Sequence, residues 1–278
     1  MTKRTALVTG AGGGLGHATV ERLVANGWKV FAADINEDLL RNSKHDPDVV
    51  PVLIDVTDQE SIRSAFDAVS SNTDGLDAIV NFAGIMGVGS LTDMPEERLA
   101  HILDVNVMGT FRVNKQFFPL IEAAKGRIVN ISSELGWHSA PPFNGPYAMS
   151  KYAIEAYSTA LRRELALLGV KVITIQPGPF RTDMVAGIER AFTQAENETT
   201  RFAPVIRALK GLAGKQGNSA HDPDILAQAI EHALTIKRPK PVYSVKADRL
   251  RSTLEKLPLR TIDRVYLTVL RRGQKAAS

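Results

Sequence analysis

Tyr147 and Lys151 lie four residues apart. On a helix that spacing puts both on one face. An ammonium beside a phenol favours the phenolate, so the tyrosine pKa is expected to fall from about 10 toward working pH. A tyrosine poised that way can give or take a proton during a reaction. The same pair also occurs on amphipathic surface helices, so its neighbours must decide its meaning.

A second group with chemical potential is the run Thr9-Gly10-Ala11-Gly12-Gly13-Gly14-Leu15-Gly16. It falls between an apolar β-branched segment and a helical pattern. Glycines there let the backbone turn tightly and approach a phosphate, while the helix N-terminus offers free N–H groups. The run is not GxGxxG, because Leu15 and His17 occupy positions that pattern reserves for glycine. Its context includes an acid, Asp34, 18 residues beyond Gly16. A carboxylate ending the second strand can accept hydrogen bonds from ribose hydroxyls and repels a 2′-phosphate. No Lys or Arg stands in the turn or just after Asp34. Dinucleotide binding is expected, with NAD favoured over NADP.

The elements that must carry these residues are visible as alternating patterns. Strand-like runs fall at Ala6–Val8, Lys29–Ala33, Val49–Ile54, Ala78–Val80, Arg127–Ile131, Lys171–Ile175 and Pro241–Ser244. Helical spacing occupies Gly16–Asn26, Glu37–Asn42, Asp58–Ser70, a long region from Pro95 toward Ala124, the segment opened by Pro146, and Asp224–Leu234. Continuous apolar strands alternating with helices predict an α/β doubly wound parallel sheet with helices on both faces. The whole chain, 1–278, reads as one domain. Residues 183–221 lack a strand and are long for a connection, which predicts a lid or loop insertion over the substrate. Residues 237–278 form a basic strand-helix extension, helical over 247–257 and 259–271.

Composition bounds the rest. The chain of 278 residues is 44% hydrophobic and 23% charged, as expected of a folded globular protein. It has no cysteine, which excludes disulfides, thiolate nucleophiles and zinc–thiolate sites and fits a reducing compartment. Its six histidines show no metal-ligand spacing, so no metal is expected. The first residues run straight into a strand, with no signal peptide, and no apolar run spans a bilayer. A cytoplasmic location is expected. The extension carries 12 Lys/Arg against 3 Asp/Glu, leaving the rest mildly acidic. A basic tail on an acidic body suits an anionic partner, and a solvated basic helix is the plainer reading; no nucleic acid is expected, and peripheral membrane contact is the alternative kept open. In its last helix, Leu259, Ile262, Val265, Tyr266, Val269 and Leu270 form an apolar stripe with arginines around it, which also suits a dimer partner or packing on the body.

With those residues in view, about 4–185 of the chain resembles the short-chain dehydrogenase/reductase family. Thr9-Gly10-x-x-x-Gly14-x-Gly16 is similar to that family's glycine pattern, and Asp55-Val56 to its adenine-contacting pair. Asn81-Phe82-Ala83-Gly84 resembles its Asn-Asn-Ala-Gly motif, with Phe82 a departure. Asn106, Ser133, Tyr147 and Lys151 match its catalytic set, and Pro177-Gly178-Pro179-Phe180-Arg181-Thr182 its motif after the sixth strand. The resemblance implies a Rossmann-type fold and NAD as hydride carrier. It implies Tyr147 as general acid/base, with Lys151 lowering its pKa and holding the nicotinamide ribose. Ser133 would bind the substrate oxygen, and Asn106 a water linking Lys151 to solvent. Gly10, Gly12, Gly14, Leu15, Gly16, Asp34, Asp55, Val56, Asn81, Ala83, Gly84, Pro177, Gly178, Phe180 and Thr182 would contact the cofactor. The serine stands one residue farther from Tyr147 than the family spacing. Ser133 is assigned, the Ala140–Phe143 stretch taking up the extra residue, and Ser132 is the alternative.

The implied activity is hydride transfer between NAD and a hydrophobic secondary alcohol or ketone. An NADPH-dependent carbonyl reductase is the alternative, and a dinucleotide sensor or membrane-surface protein on the same fold the reading from another class. Trp137, Phe143, Met184, Val185 and Phe192 are expected to line an apolar pocket, and His138 to be a solvated loop residue near its mouth. The extension is loosely similar to those of retinol and hydroxysteroid dehydrogenases. Family members commonly form homodimers or homotetramers through the helices bearing Asn106 and Tyr147.

Overall fold

The structure, a computed structural model, describes residues 3–41, 46–181, 183–216 and 220–277. Seven strands form one parallel sheet: β1 (Thr5–Thr9), β2 (Lys29–Asp34), β3 (Val49–Leu53), β4 (Ala78–Asn81), β5 (Arg127–Ile131), β6 (Lys171–Pro177) and β7 (Val242–Val245). Their order is β3-β2-β1-β4-β5-β6-β7. β1 and β4 are buried along their whole length, as strands covered on both faces must be. β3 carries Pro51 and lies at an edge, where a missing N–H is tolerated. The order reverses between β1 and β4, which opens a crevice at their carboxyl ends.

Two apolar layers cover the sheet. On one face, α1 (Gly14–Ala25) and α9 (Pro223–Thr235) bury Val20, Leu23, Leu226 and Ile230 against Val8, Val80 and Ile175. On the other, α3 (Gln59–Ser70) and α5 (Thr110–Ala124) bury Ile62, Val69, Val113 and Phe117 against Leu7, Ile79 and Ile128. Asp58 caps α3, its side chain accepting the Glu60 N–H at 2.9 Å. α2 (Glu37–Arg41) is one short turn after β2. The strand positions read from the sequence all hold.

Two segments differ from the sequence reading. The long helix from Pro95 is interrupted: α4 (Glu96–Leu103) passes through a π-helical turn, Asp104–Gly109, before α5. Single π-turns insert a residue and rotate the following helix, and Asn106 sits at this one. The expected loop over 183–221 is mostly helical, forming α7 (Asp183–Asn197) and α8 (Ala203–Gln216). Phe192, Ala195 and Ile206 of these helices bury against Val88, making a third small core. Its turn is tied to the body by Arg98–Glu198 and Thr199–Asp93 contacts. Gly and Thr weaken a helical pattern in isolation, but an apolar face with something to cover overrides that. The extension forms α10 (Arg249–Leu254), capped by Asp248, and α11 (Leu259–Ala277). The central helix α6 (Gly145–Leu165) starts with Pro146 in its first turn, as expected.

Candidate active site

The crevice is a cleft of about 610 Å³ running from the glycine turn to Tyr147. Gly10 makes the turn possible. Its φ is +66°, and a Cβ there would lie 2.8 Å from the Ala83 nitrogen. At Gly16 a Cβ would lie 2.1 Å from the Gly10 carbonyl oxygen, so α1 starts tight against the turn. Asp34 closes that end of the cleft. Its carboxylate accepts the Gly12 N–H at 2.9 Å and the Asn36 N–H at 3.0 Å. Each oxygen keeps a further lone pair for a ligand hydroxyl. Asp55 shapes the next wall by accepting the Thr57 N–H at 2.8 Å and its hydroxyl at 2.6 Å.

At the other end, Tyr147 and Lys151 share a face of α6 and both are buried. The Lys151 ammonium sits 5.5 Å from the Tyr147 ring centre and donates to the Ile131 carbonyl at 3.0 Å. Burial pushes the Tyr147 phenol up to about 12, with a hydrogen bond from Ser133 pulling the other way. Burial also brings Lys151 down to about 8, against the attraction of Glu155. This corrects the sequence expectation of a depressed tyrosine. A dry site beside the Glu134 carboxylate penalises the phenolate more than Ser133 favours it. Burial thus favours the neutral phenol at Tyr147.

Ser133 is the serine that reaches Tyr147. Ser132 is buried and its hydroxyl turns to the Lys151 backbone carbonyl at 3.4 Å. Both residues border the cleft, but alternation points their side chains to opposite sides of the extended backbone, so their hydroxyls have different partners.

Of the cofactor residues expected from sequence, Gly10, Gly14, Leu15, Gly16, Asp34, Asp55, Val56, Ala83, Gly84, Tyr147, Lys151, Pro177, Gly178 and Phe180 line the cleft. Gly12 stands behind it, holding Asp34. Thr182 falls outside the described residues. Two asparagines act from behind the wall. The Asn81 amide donates to Asn114 at 2.8 Å and Asn130 at 2.9 Å, inside the core. Asn106 clasps the backbone of Ile85, accepting its N–H at 2.7 Å and donating to its carbonyl at 2.9 Å. It also donates to Ser150 at 3.0 Å, which in turn donates to the Tyr147 carbonyl. Its side chain thus ties the loop after β4 to α6.

The apolar pocket read from sequence is also redrawn. Phe192 is buried in the small core under α7 and α8, and Phe143 packs its ring on Phe202 at 5.5 Å beside that core. The side chains of Met184 and Val185 fall outside the described residues. The Trp137 ring lies tilted against His138, with ring centres 3.9 Å apart. His138 is not a solvated loop residue: it is buried, and burial lowers its pKa. The apolar residues that do line the cleft include Phe82, Ile85, Met86, Leu135 and Phe180. Phe82, Ile85 and Met86 flank the Ala83-Gly84 motif, so their position after β4 was the available signal.

Comparison with known proteins agrees with this geometry. A family profile described as short chain dehydrogenase matches residues 4–192. The chain belongs to that family. It is 35% identical over 258 residues to mouse "Retinol dehydrogenase 7", covering 87% of this chain and 80% of that protein. It is likewise 35% identical over 257 residues to human "17-beta-hydroxysteroid dehydrogenase type 6", with the same coverage. A short-chain dehydrogenase from Streptomyces avermitilis superposes with a TM-score of 0.76 at 25% identity, covering 99% of this chain and 97% of that one. A Burkholderia phymatum member crystallised with NAD superposes with a TM-score of 0.79 at 23% identity, covering 94% of each chain. A Burkholderia cenocepacia member, crystallised with NADP, gives 0.73 at 23% identity, covering 95% of this chain and 98% of that one. The protein is a short-chain dehydrogenase/reductase: an oxidoreductase that moves hydride between a nicotinamide cofactor and an alcohol or ketone.

Proposed function

We propose an NAD-dependent dehydrogenase of bulky hydrophobic secondary alcohols, with Tyr147 as its proton-transfer group. The carrying observation is the buried Tyr147, with Ser133 beside its phenol and Lys151 5.5 Å from its ring centre, in the same cleft as the glycine turn and Asp34. The glycine turn would hold the pyrophosphate on its N–H groups and Asp34 the adenosine ribose. Asp55, Val56, Ala83 and Gly84 would flank the cofactor, and Lys151 with Pro177, Gly178 and Phe180 would hold its nicotinamide half. The cofactor, when bound, supplies the hydride acceptor or donor.

In reduction, Tyr147 donates its proton to the substrate oxygen. In oxidation, Tyr147 must first lose that proton, which its burial opposes. Lys151 keeps a cation there below about pH 8. Ser133 hydrogen-bonds the substrate oxygen and steadies its developing charge. Asn106 positions both walls through Ile85 and Ser150.

NAD is favoured over NADP because the Asp34 carboxylate is turned into the cleft wall with its two oxygens held by backbone N–H groups. A 2′-phosphate there meets negative charge, and among the described wall residues Lys151 is the sole Lys or Arg. The relatives' names suggest steroid and retinoid alcohols as test substrates. A panel of steroid, retinoid and aliphatic secondary alcohols, read by NADH absorbance with NAD and NADP in parallel, tests the reading. Turnover with NADP alone, or with small polar alcohols alone, would overturn it.

The chain works, in this reading, in the cytoplasm as a homo-oligomer. Met108, Phe111, Met149 and Tyr152 are exposed on the π-turn, α5 and α6, an apolar surface that a second copy would cover. Peripheral membrane contact through α11 has narrower support. Ile262 and Tyr266 already face the body, leaving Leu259, Val265 and Val269 exposed along the stripe. No helix among the described residues is long and apolar enough to cross a membrane. Flotation with anionic liposomes, with and without residues 258–278, tests that contact.

A further inference from the structure

Ser133 stands where the chain leaves the sheet. Ser132 is still anchored, its N–H donating to the Ile175 carbonyl of β6 at 2.8 Å. From Ser133 onward the backbone forms a tight turn with its own bonds: Gly136 N–H to the Ser133 carbonyl at 2.9 Å, and His138 N–H to the Glu134 carbonyl at 3.0 Å. The Ser133 hydroxyl also accepts the Leu135 N–H at 3.2 Å, so the turn and the hydroxyl move together. α6 touches this turn through the Tyr152 hydroxyl, which donates to the His138 carbonyl at 2.8 Å.

A second set of contacts comes from more than a hundred residues later. The Asp248 N–H donates to Glu134 at 2.8 Å, and Arg251 pairs with the other Glu134 oxygen at 3.5 Å. Ser252 and His138 Nε2 lie 3.2 Å apart. The Glu255 carboxylate accepts both the Ser139 N–H at 2.7 Å and the Ser139 hydroxyl at 2.8 Å. A carboxylate that takes two short bonds from one residue fixes its orientation as well as its place. Glu134 is part of the cleft wall, so the clamp reaches the site directly.

We propose that Glu255 is a positioning residue for the reaction: by gripping Ser139 it holds the turn that aims the Ser133 hydroxyl at Tyr147 and the substrate oxygen. The C-terminal extension is then part of the catalytic apparatus and not only a surface appendage. The proposal rests on Ser133 acting as the oxygen-binding hydroxyl.

The test is a mutant cycle on the full chain. Glu255→Ala is expected to lower kcat about 10- to 100-fold, the cost of misplacing a reacting group. The dissociation constant for NADH, read by fluorescence, is expected to stay unchanged. Glu255→Gln can still accept the Ser139 N–H and donate to its hydroxyl, and is expected to recover most of the lost kcat. In a Ser133→Ala background, Glu255→Ala is expected to cost nothing further, because its effect runs through the missing hydroxyl. Ser139→Ala removes one of the two bonds without touching the carboxylate. It is expected to give a smaller fall of the same kind, which keeps the proposal testable if Glu255→Ala folds poorly. Unchanged kcat in Glu255→Ala, or an equal fall with and without Ser133, overturns the clamp. Wild-type turnover in Ser133→Ala alone would instead overturn the role of that serine.

Discussion

The two ends of the cleft are built differently. The dinucleotide end is made of backbone at strand termini: the turn after β1, the carboxylate ending β2, and the loop after β4. Each piece is set by a few consecutive residues, and the sheet order brings them together. The substrate end is made of side chains from distant parts of the chain. Glu134 meets Asp248 and Arg251, and Ser139 meets Glu255. Local construction makes a site sturdy and readable. Long-range construction leaves it free to differ between relatives, because the contacts can change without disturbing the sheet.

Substitutions can break or sharpen that contrast. The largest effect is expected at Tyr147. Tyr147→Phe removes the transferable proton and is expected to lower turnover about 10²- to 10⁴-fold while NADH still binds. Stopped-flow turnover beside fluorescence titration would show both, and near-normal turnover would end the assignment.

Next come the serines. Ser133→Ala is expected to cost about 10²-fold or more in kcat, as losing a donor to developing charge does. Ser132→Ala, which loses only a contact to the Lys151 carbonyl, is expected to cost far less. The reverse order would show that the extra residue before Tyr147 shifts the register of the active serine.

Lys151 offers a stability measurement of opposite sign to its activity. Its folded pKa of about 8 lies below the ordinary 10.5, so the unfolded chain binds more protons between those values. The cost of burying the cation is thus full below about pH 8 and fades as pH rises toward 10.5. Lys151→Met is expected to stabilise the cofactor-free protein at pH 7 by up to roughly 3 kcal/mol while abolishing turnover. Denaturant midpoints across pH 7–10 would show the advantage shrinking. Above pH 10 the raised Tyr147 works the other way, since its contribution is lost as pH climbs toward about 12. A constant difference across pH would show that the cation is not the cause.

The smallest effect is expected at Asp34. Asp34→Asn keeps one of the two turn contacts, since its amide has a single acceptor oxygen, and removes the charge facing a 2′-phosphate. The kcat/KM ratio for NADP over NAD is expected to rise about tenfold, equivalent to about 1.4 kcal/mol. No change would move cofactor selection to another part of the wall.

Much of the dinucleotide end was legible in order. Gly10 is required by a positive φ and by the nearness of Ala83, and Asp34 by its place at the end of β2. Both follow from strand–turn–helix succession, which neighbouring residues dictate. Tyr147 and Lys151 were legible for the same reason, because helical spacing puts them together whatever surrounds the helix. Their pKa values were not. Burial on the folded core reverses the direction expected for Tyr147, and burial is a property of the whole packing. Asn81 and Asn106 were visible as motif residues, yet their bonds to Asn114, Asn130, Ile85 and Ser150 place them behind the wall.

The sequence by itself determined the doubly wound sheet, the glycine turn with its acid, and the tyrosine–lysine pair, since hydrophobic period and turn chemistry act over short stretches. Tertiary structure alone decided which serine faces Tyr147, that residues 183–216 are mostly helical over a small core, and that His138 is buried. It also decided that Glu255 closes on the turn after β5. Those outcomes depend on side chains that meet only once the sheet and its two layers have packed, and no local pattern encodes such a meeting.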